Sequence, residues 1–162
     1  MSNFSINEII EMAAQIEKSG YAYYDRALQQ GFLSTKGREL LTYLRDQEKE
    51  HEKFFNNMRS REEMNLILEN SDWDTVSSYL RAIIEQRLFN DENSAIRLAT
   101  AASTEKELLT NAIQFEKDTL LYFLSVRDSI NDSKAKDILS KIIKEEVDHV
   151  LQLTMFRDNI LK

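Results

Sequence analysis

The chain has 162 residues, with no cysteine, no proline and three glycines, and its 21 basic and 28 acidic residues give a net charge of −7. The absence of cysteine excludes disulfide bonds, thiol catalysis and iron–sulfur clusters, and the scarcity of the turn-forming residues Gly and Pro excludes all-β and Rossmann-type folds. The acidic residues are spread along the chain without a run of Lys or Arg, which argues against a nucleic-acid partner. We therefore expect an all-α protein with a single domain over residues 1–162.

Two long helices are predicted in the N-terminal part of the chain. The first runs from Ser5 to about Gln30, because a hydroxyl and a carboxylate three residues apart form a capping box at its start and a glycine follows its end. The second begins at Ser34 or Thr35 and continues to about Arg59. The short turn between them predicts a helical hairpin.

A long connection and a second hairpin follow. Residues 60–102 are predicted as a crossover, in which Asp74 caps a shorter helix from about Thr75 to Asn90. A capping box at Thr104 opens the next long helix, which ends at about Ser129, and the last helix runs from about Lys134 to Leu161. We therefore expect a four-helix bundle of two helical hairpins with a long crossover that contains a short helix.

Each long helix carries a stripe of apolar residues at alternating spacings of three and four, as in the core of a bundle. All four stripes are interrupted near mid-height by polar residues. The interrupting residues are Glu17, Glu48, His51, Glu116, Glu146 and His149. The second and fourth helices both carry the motif Glu-x-x-His, and this spacing places the two side chains on one face, one turn apart.

The interruptions form an internal repeat. Glu17 precedes Glu48 by 31 residues and Glu116 precedes Glu146 by 30, and the second member of each pair begins a Glu-x-x-His motif. The two hairpins are therefore interpreted as copies of one another. A pseudo-twofold axis between them would bring four carboxylates and two imidazoles together at the centre.

The charge of this cluster predicts a metal site. Four carboxylates in an apolar core carry a charge of about −4, and each unpaired buried charge costs several kcal/mol. Two divalent cations would neutralise the set, and carboxylate oxygens with imidazole suit iron or manganese. A buried polar network without metal is the alternative interpretation, because buried polar groups can also specify a fold.

Other residues near the stripes have weaker signals. Tyr24 is expected beside the site, where it would hydrogen-bond a carboxylate or pass an electron, with ordinary core packing as the alternative. Tyr23 and Tyr122, each six residues after a stripe glutamate, are expected to be packing or rim residues. The acidic residues that flank the two motifs are expected to be solvated or to form interhelical salt bridges: Glu50, Glu52, Glu145 and Asp148.

The pattern resembles the ligand pattern of the rubrerythrin and ferritin-like superfamily of di-iron carboxylate proteins over nearly the whole chain. The segments AIQFEKDTLLYF and IIKEEVDHVLQL are similar to the rubrerythrin branch. The resemblance implies a ferritin-like four-helix bundle that holds two iron ions. It implies that Glu48 and Glu146 are bridging ligands and that Glu17 and Glu116 are terminal ligands. His51 and His149 are then the two imidazole ligands.

The resemblance also implies a redox function. Rubrerythrins reduce hydrogen peroxide at a di-iron(II) centre, and the absence of a cysteine-bearing rubredoxin domain implies a separate electron-donor protein. Thr119 stands where typical rubrerythrins have an additional glutamate, and the remaining six ligands are similar to those of bacterioferritin, a ferroxidase. Reduction of peroxide or dioxygen is therefore the first expectation. A ferroxidase or iron-binding protein and a metal-free helical interaction module are the alternatives.

The expected setting of the protein is the cytoplasm. The first twenty residues carry acids rather than the basic segment of a secretory signal, and no apolar stretch approaches the roughly 18 residues that a membrane span needs. We expect a homodimer without membrane contact.

Overall fold

Residues 6–59, 70–87, 89, 91–129 and 133–160 are described by a computed structural model of the chain. Six helices and their connecting turns make up this part, and it contains no strand. The helices are α1 (Ile6–Ala27), α2 (Thr35–Arg59), α3 (Asn70–Glu85), α4 (Glu92–Ala101), α5 (Glu105–Ser129) and α6 (Ser133–Ile160). The prediction of an all-α protein is confirmed for these residues.

The four long helices form a bundle of two hairpins. Helix α1 packs along α2, and α5 packs along α6. Contacts of α1 with α5 and of α2 with α6 join the two hairpins. The predicted arrangement of hairpins is therefore confirmed.

Side-chain caps fix the starts of two of these helices. The Ser34 Oγ accepts a hydrogen bond of 3.0 Å from the Gly37 backbone N–H, so Ser34 rather than Thr35 caps α2. The Thr104 Oγ1 accepts a bond of 3.1 Å from the Glu107 N–H at the start of α5, as the capping box predicted. These bonds satisfy backbone donors that have no partner within the helix.

Helix ends differ from the predictions by a few residues. Helix α1 ends at Ala27 instead of Gln30, and the guanidinium of Arg38 donates to the carbonyl oxygens of Leu28 and Gln30 in the turn that follows. The predicted start at Ser5 and the predicted end at Leu161 lie outside the described residues.

The described part of the crossover contains a short helix, as predicted, and a second one that was not predicted. Helix α3 begins before the predicted Thr75 and packs against α5, whereas the unpredicted α4 packs against α1. Asp91 caps α4 through a bond of 2.7 Å from the Ser94 N–H. The buried residues of α4, Ala95 and Ala99, are small, so its apolar face gave a weak signal in the sequence.

The predicted stripes form the core of the bundle. The described side chains of these stripes are buried, except that Tyr21 and Leu28 of the α1 stripe and Phe156 of the α6 stripe are partly exposed. None of the described helices combines the length and the apolar character that crossing a bilayer requires.

Candidate metal centre

The six polar residues that interrupt the stripes meet at the centre of the bundle. Helix α1 supplies Glu17, α2 supplies Glu48 and His51, α5 supplies Glu116, and α6 supplies Glu146 and His149. His51 is 3% exposed, and the other five residues are completely buried. Every predicted metal ligand therefore lies in one solvent-excluded cluster, as the internal repeat predicted.

Glu146 lies between the two histidines and presents one carboxylate oxygen to each. Its Oε1 is 2.8 Å from the Nδ1 of His51, an approach that lacks the alignment of a hydrogen bond. Its Oε2 is 3.1 Å from the Nδ1 of His149. A carboxylate that divides its oxygens in this way has the geometry of a ligand bridging two cations.

The six side chains form two groups that share Glu146. The first, called here the His149 position, comprises Glu48, Glu116, Glu146 and His149, and the second, called the His51 position, comprises Glu17, His51 and Glu146. Within each group, one potential ligand atom from every residue lies within 4.8 Å of the others. The cluster therefore offers two adjacent places for a metal ion.

Many polar atoms of the cluster have no hydrogen-bond partner. These buried atoms are both carboxylate oxygens of Glu17, both of Glu48, Oε2 of Glu116, Oε1 of Glu146, Nδ1 of His51 and Nε2 of His149. Buried polar atoms are nearly always paired, because an unpaired one loses its hydration without compensation. The unpaired carboxylate oxygens are hard ligands that fit iron or manganese.

Electrostatics of the carboxylates also favour a bound cation. Burial, followed by the charges of neighbouring carboxylates, raises the pKa of Glu17 and of Glu48 well above the usual range. Burial and the charge of Glu146 raise the pKa of Glu116 to about 7. Burial also opposes ionisation of Glu146, but its interactions with the two histidines outweigh burial and lower its pKa. Without metal, these raised pKa values favour retained protons on the carboxylates.

The two histidines supply part of the missing positive charge. Although burial opposes protonation, interactions with Glu146 raise the pKa of His51 to about 9, and those with Glu116 and Glu146 raise the pKa of His149 to about 11. Within the described part of the chain, these two rings form the ion pairs of Glu17, Glu116 and Glu146, whereas neither oxygen of Glu48 has a hydrogen-bond partner. Two imidazolium groups offset only half of the negative charge of four carboxylates. The remaining negative charge must be neutralised by further protons or by metal ions.

Tyr24 contacts one terminal carboxylate. Its hydroxyl donates a hydrogen bond of 2.6 Å to Oε1 of Glu116 on the facing helix. Burial and the charge of Glu116 raise the pKa of Tyr24 well above its usual value, so the phenol keeps its proton. The hydrogen bond to a carboxylate that was expected from the sequence is present.

The outer ring nitrogens of the two histidines have different surroundings. The His51 Nε2 is hydrogen-bonded at 2.8 Å to Oε2 of Glu145, whose side chain is 33% exposed. The His149 Nε2 has no hydrogen-bond partner, and its ring meets the partly exposed ring of Tyr43 edge-on at 6.1 Å. Glu145 thus forms an interhelical ion pair, which was one of the two expectations for it. Its role in holding His51 was not predicted, although a ligand histidine needs an acceptor at its outer nitrogen.

The remaining flanking acids divide into exposed and buried residues. Glu50 and Asp148 are exposed, and Glu50 pairs with Lys53 at 2.8 Å within α2. Glu52 is buried, so the expectation that it is solvated was wrong. Its carboxylate lies 3.4 Å from the ammonium group of Lys49, one turn earlier on the same helix.

Gly20 provides the space that Glu48 occupies. A Cβ atom at position 20 would lie 2.5 Å from Oε2 of Glu48 and 2.8 Å from Cε1 of Phe115. Both distances are shorter than van der Waals contact. A side chain at this position of α1 would therefore displace a predicted ligand.

The comparisons with known proteins agree with this architecture. Neither the protein-family models nor the curated proteins gave a match. A crystal structure from Thermotoga maritima, of a protein described as a ferritin-like diiron-carboxylate protein, aligns with 98% of this chain and 97% of its own, with a TM-score of 0.73 and 25% sequence identity. The chain therefore has the ferritin-like helical-bundle fold, as the sequence predicted, with a buried carboxylate–histidine cluster suited to two metal ions.

Proposed function

We propose that this protein is a non-haem di-iron protein of rubrerythrin type that reduces peroxide or dioxygen. The observation that supports it most strongly is the carboxylate of Glu146, which directs its two oxygens to two different histidines. The carboxylate oxygens around Glu146 that have no hydrogen-bond partner are available as ligands for two cations. Manganese fits the same hard ligands.

Each residue has a distinct part in this proposal. Glu146 and Glu48 would be shared by the two ions, and His51 and His149 would each hold one of them. Glu17 and Glu116 would supply the terminal carboxylates. A pair of Fe²⁺ ions supplies two electrons when bound, which is the number needed to reduce hydrogen peroxide to two molecules of water.

The protein matrix restricts what reaches the site. All six ligands are buried, so a small oxidant fits this setting better than a large organic substrate. Because the chain has no cysteine and therefore no rubredoxin-like cluster, we propose that electrons return from a separate donor protein. We further propose that the protein acts as a homodimer.

Oxidation of Fe²⁺ as a substrate is the second candidate. The hydroxyl of Thr119 donates to the carbonyl oxygen of Phe115 at 2.9 Å, so this side chain is occupied by its own helix. Thr119 stands where rubrerythrins carry an additional glutamate. Without that glutamate, the ligand set has six members, as in a bacterioferritin-like ferroxidase.

Anaerobic iron loading followed by rapid mixing tests the proposal. We expect two irons per chain after desalting, and faster oxidation of these irons by hydrogen peroxide than by dioxygen. Preferential reaction with dioxygen, with sustained consumption of excess Fe²⁺, would instead establish the ferroxidase. If no metal binds and a chelator leaves the melting temperature unchanged, the di-iron proposal is withdrawn in favour of a metal-free bundle, because a ligand that binds only the folded state must stabilise it.

A further inference from the structure

We infer that Tyr24 makes the two metal positions unequal, so that the first ion binds at the His149 position and the second, more weakly, at the His51 position. This inference rests on the proposed di-metal function. Tyr24 acts through the terminal carboxylate Glu116 and is therefore a positioning residue. It does not need to react itself.

The internal repeat shows that the His51 position lacks a hydroxyl equivalent to that of Tyr24. A shift of 99 residues relates Glu17 to Glu116, and the same shift relates Tyr24 to Phe123. Phe123 has no hydroxyl. Glu116 therefore has a donor at one oxygen, whereas both oxygens of Glu17 are without a hydrogen-bond partner.

A carboxylate that is already held loses less freedom when a metal binds. The bond from Tyr24 occupies Oε1 of Glu116 and leaves Oε2 free for an ion. Glu17 and Glu116 each have a histidine ring within 4 Å, but Glu17 has no hydrogen bond to hold it, so more of its ordering is left to the ion and this cost reduces the affinity. Hydrogen bonds to metal ligands commonly change metal affinity by about 10- to 100-fold.

The number of ligands already assembled favours the same position. Before any ion is bound, Glu48 lies within reach of the His149 group only, so that position has four side chains assembled and the His51 position has three; Glu48 would join the second position only on bridging both ions. Glu145 orients His51, but it supplies no fourth ligand to that position. The first ion would therefore meet a more complete site beside His149.

Titration of the metal-free full-length chain with Co²⁺, followed by calorimetry and visible absorption, tests the inference. We expect two resolved binding steps in the wild type, the first about tenfold tighter than the second. Tyr24→Phe should weaken the first step by about tenfold and leave the second nearly unchanged. Phe123→Tyr, the reciprocal change, should tighten the second step by placing a hydroxyl towards Glu17.

Tyr23→Phe is the matched control, because it removes a neighbouring buried hydroxyl that bonds a backbone carbonyl instead of a carboxylate. It should leave both binding steps unchanged. His51→Ala should retain the tight step and His149→Ala should lose it, which assigns the steps to positions. Equal affinities in the wild type, or equal effects of Tyr23→Phe and Tyr24→Phe, would overturn the inference while leaving the di-metal proposal intact. No binding of Co²⁺ or of iron to the wild type would instead refute the di-metal proposal.

Discussion

Tyr23 and Tyr122 tie α1 and α5 together through reciprocal hydrogen bonds. The hydroxyl of Tyr23 donates to the carbonyl oxygen of Leu108 at 2.7 Å, and that of Tyr122 donates to the carbonyl oxygen of Ile9 at 2.9 Å. A shift of 99 residues relates the donors to each other and the acceptors to each other. Both tyrosines are buried, so the packing expected for them is confirmed and a rim position is wrong. The two bonds therefore join α1 to α5 at two points along the bundle.

Removing either hydroxyl should destabilise the bundle. Tyr23→Phe and Tyr122→Phe should each lower the free energy of unfolding by about 1 kcal/mol, the usual net contribution of such a bond. Chemical denaturation with urea measures the change. Tyr79→Phe, at a ring that is largely exposed, is the control and should have no effect. Wild-type stability in both buried variants would show that these bonds contribute nothing measurable.

Glu146 should be indispensable to both metal positions, because it belongs to both groups of ligands. Glu146→Gln keeps the shape of the side chain but removes the charge, and Glu146→Ala removes the ligand. We expect both variants to lose the metal pair, as measured by elemental analysis after anaerobic Fe²⁺ loading and desalting. Asp148→Asn makes the same acid-to-amide change at an exposed site of α6 and should retain two irons. Two irons per chain in Glu146→Ala would refute the bridging assignment.

Gly20 should be intolerant of a side chain. Alanine would favour the helix by up to about 1 kcal/mol, but its Cβ would overlap Glu48 and Phe115, and overpacking a core commonly costs about 1–3 kcal/mol. Gly20→Ala should therefore lower both the melting temperature and the affinity for metal.

Gly31 offers the matched control for this substitution. A Cβ there meets nothing within 4 Å, and no glycine of the described chain has a positive φ. Gly31→Ala should leave both properties near the wild-type values. A Gly20→Ala variant with wild-type metal affinity would show that Glu48 can move aside without loss.

The metal-free protein should become less stable as pH rises from about 5 to 9. Glu116 has its pKa raised to about 7 in the folded state, so its contribution to stability is complete below its ordinary pKa and is lost as pH rises through 7. The pKa of His51 is raised to about 9, so its contribution to stability is also lost as pH rises, but at higher pH values. The lowered pKa of Glu146 makes stability increase with pH, but only at pH values below the ordinary pKa of a glutamate.

Melting temperatures across this pH range check the prediction. Metal ions replace the retained protons, so the metal-loaded protein should lose this pH dependence. The metal affinity should rise with pH for the same reason. A melting temperature of the metal-free protein that increased between pH 5 and 8 would contradict the directions of these pKa shifts.

Local signals in the sequence were sufficient for most of the helical architecture. The capping box at Thr104 and the stripes of apolar residues gave the long helices to within a few residues, because both depend on neighbours along the chain. Helix α4 was missed because its buried face consists of small alanines, which carry little hydrophobic signal. Its position depends on tertiary contacts, such as the hydrogen bond of 2.8 Å from the Gln30 side chain to the carbonyl oxygen of Ala99.

The sequence by itself determined which six residues would interrupt the core, because spacing along a helix dictates which side chains share its buried face. It also determined that the cluster would need positive charge. Only the tertiary structure decided how the cluster is divided: which oxygen of Glu146 meets which histidine, that Tyr24 holds Glu116, and that Glu145 holds His51. Those contacts join residues on different helices, and their geometry depends on how the helices are rotated and shifted against one another, which periodicity within a single helix does not specify.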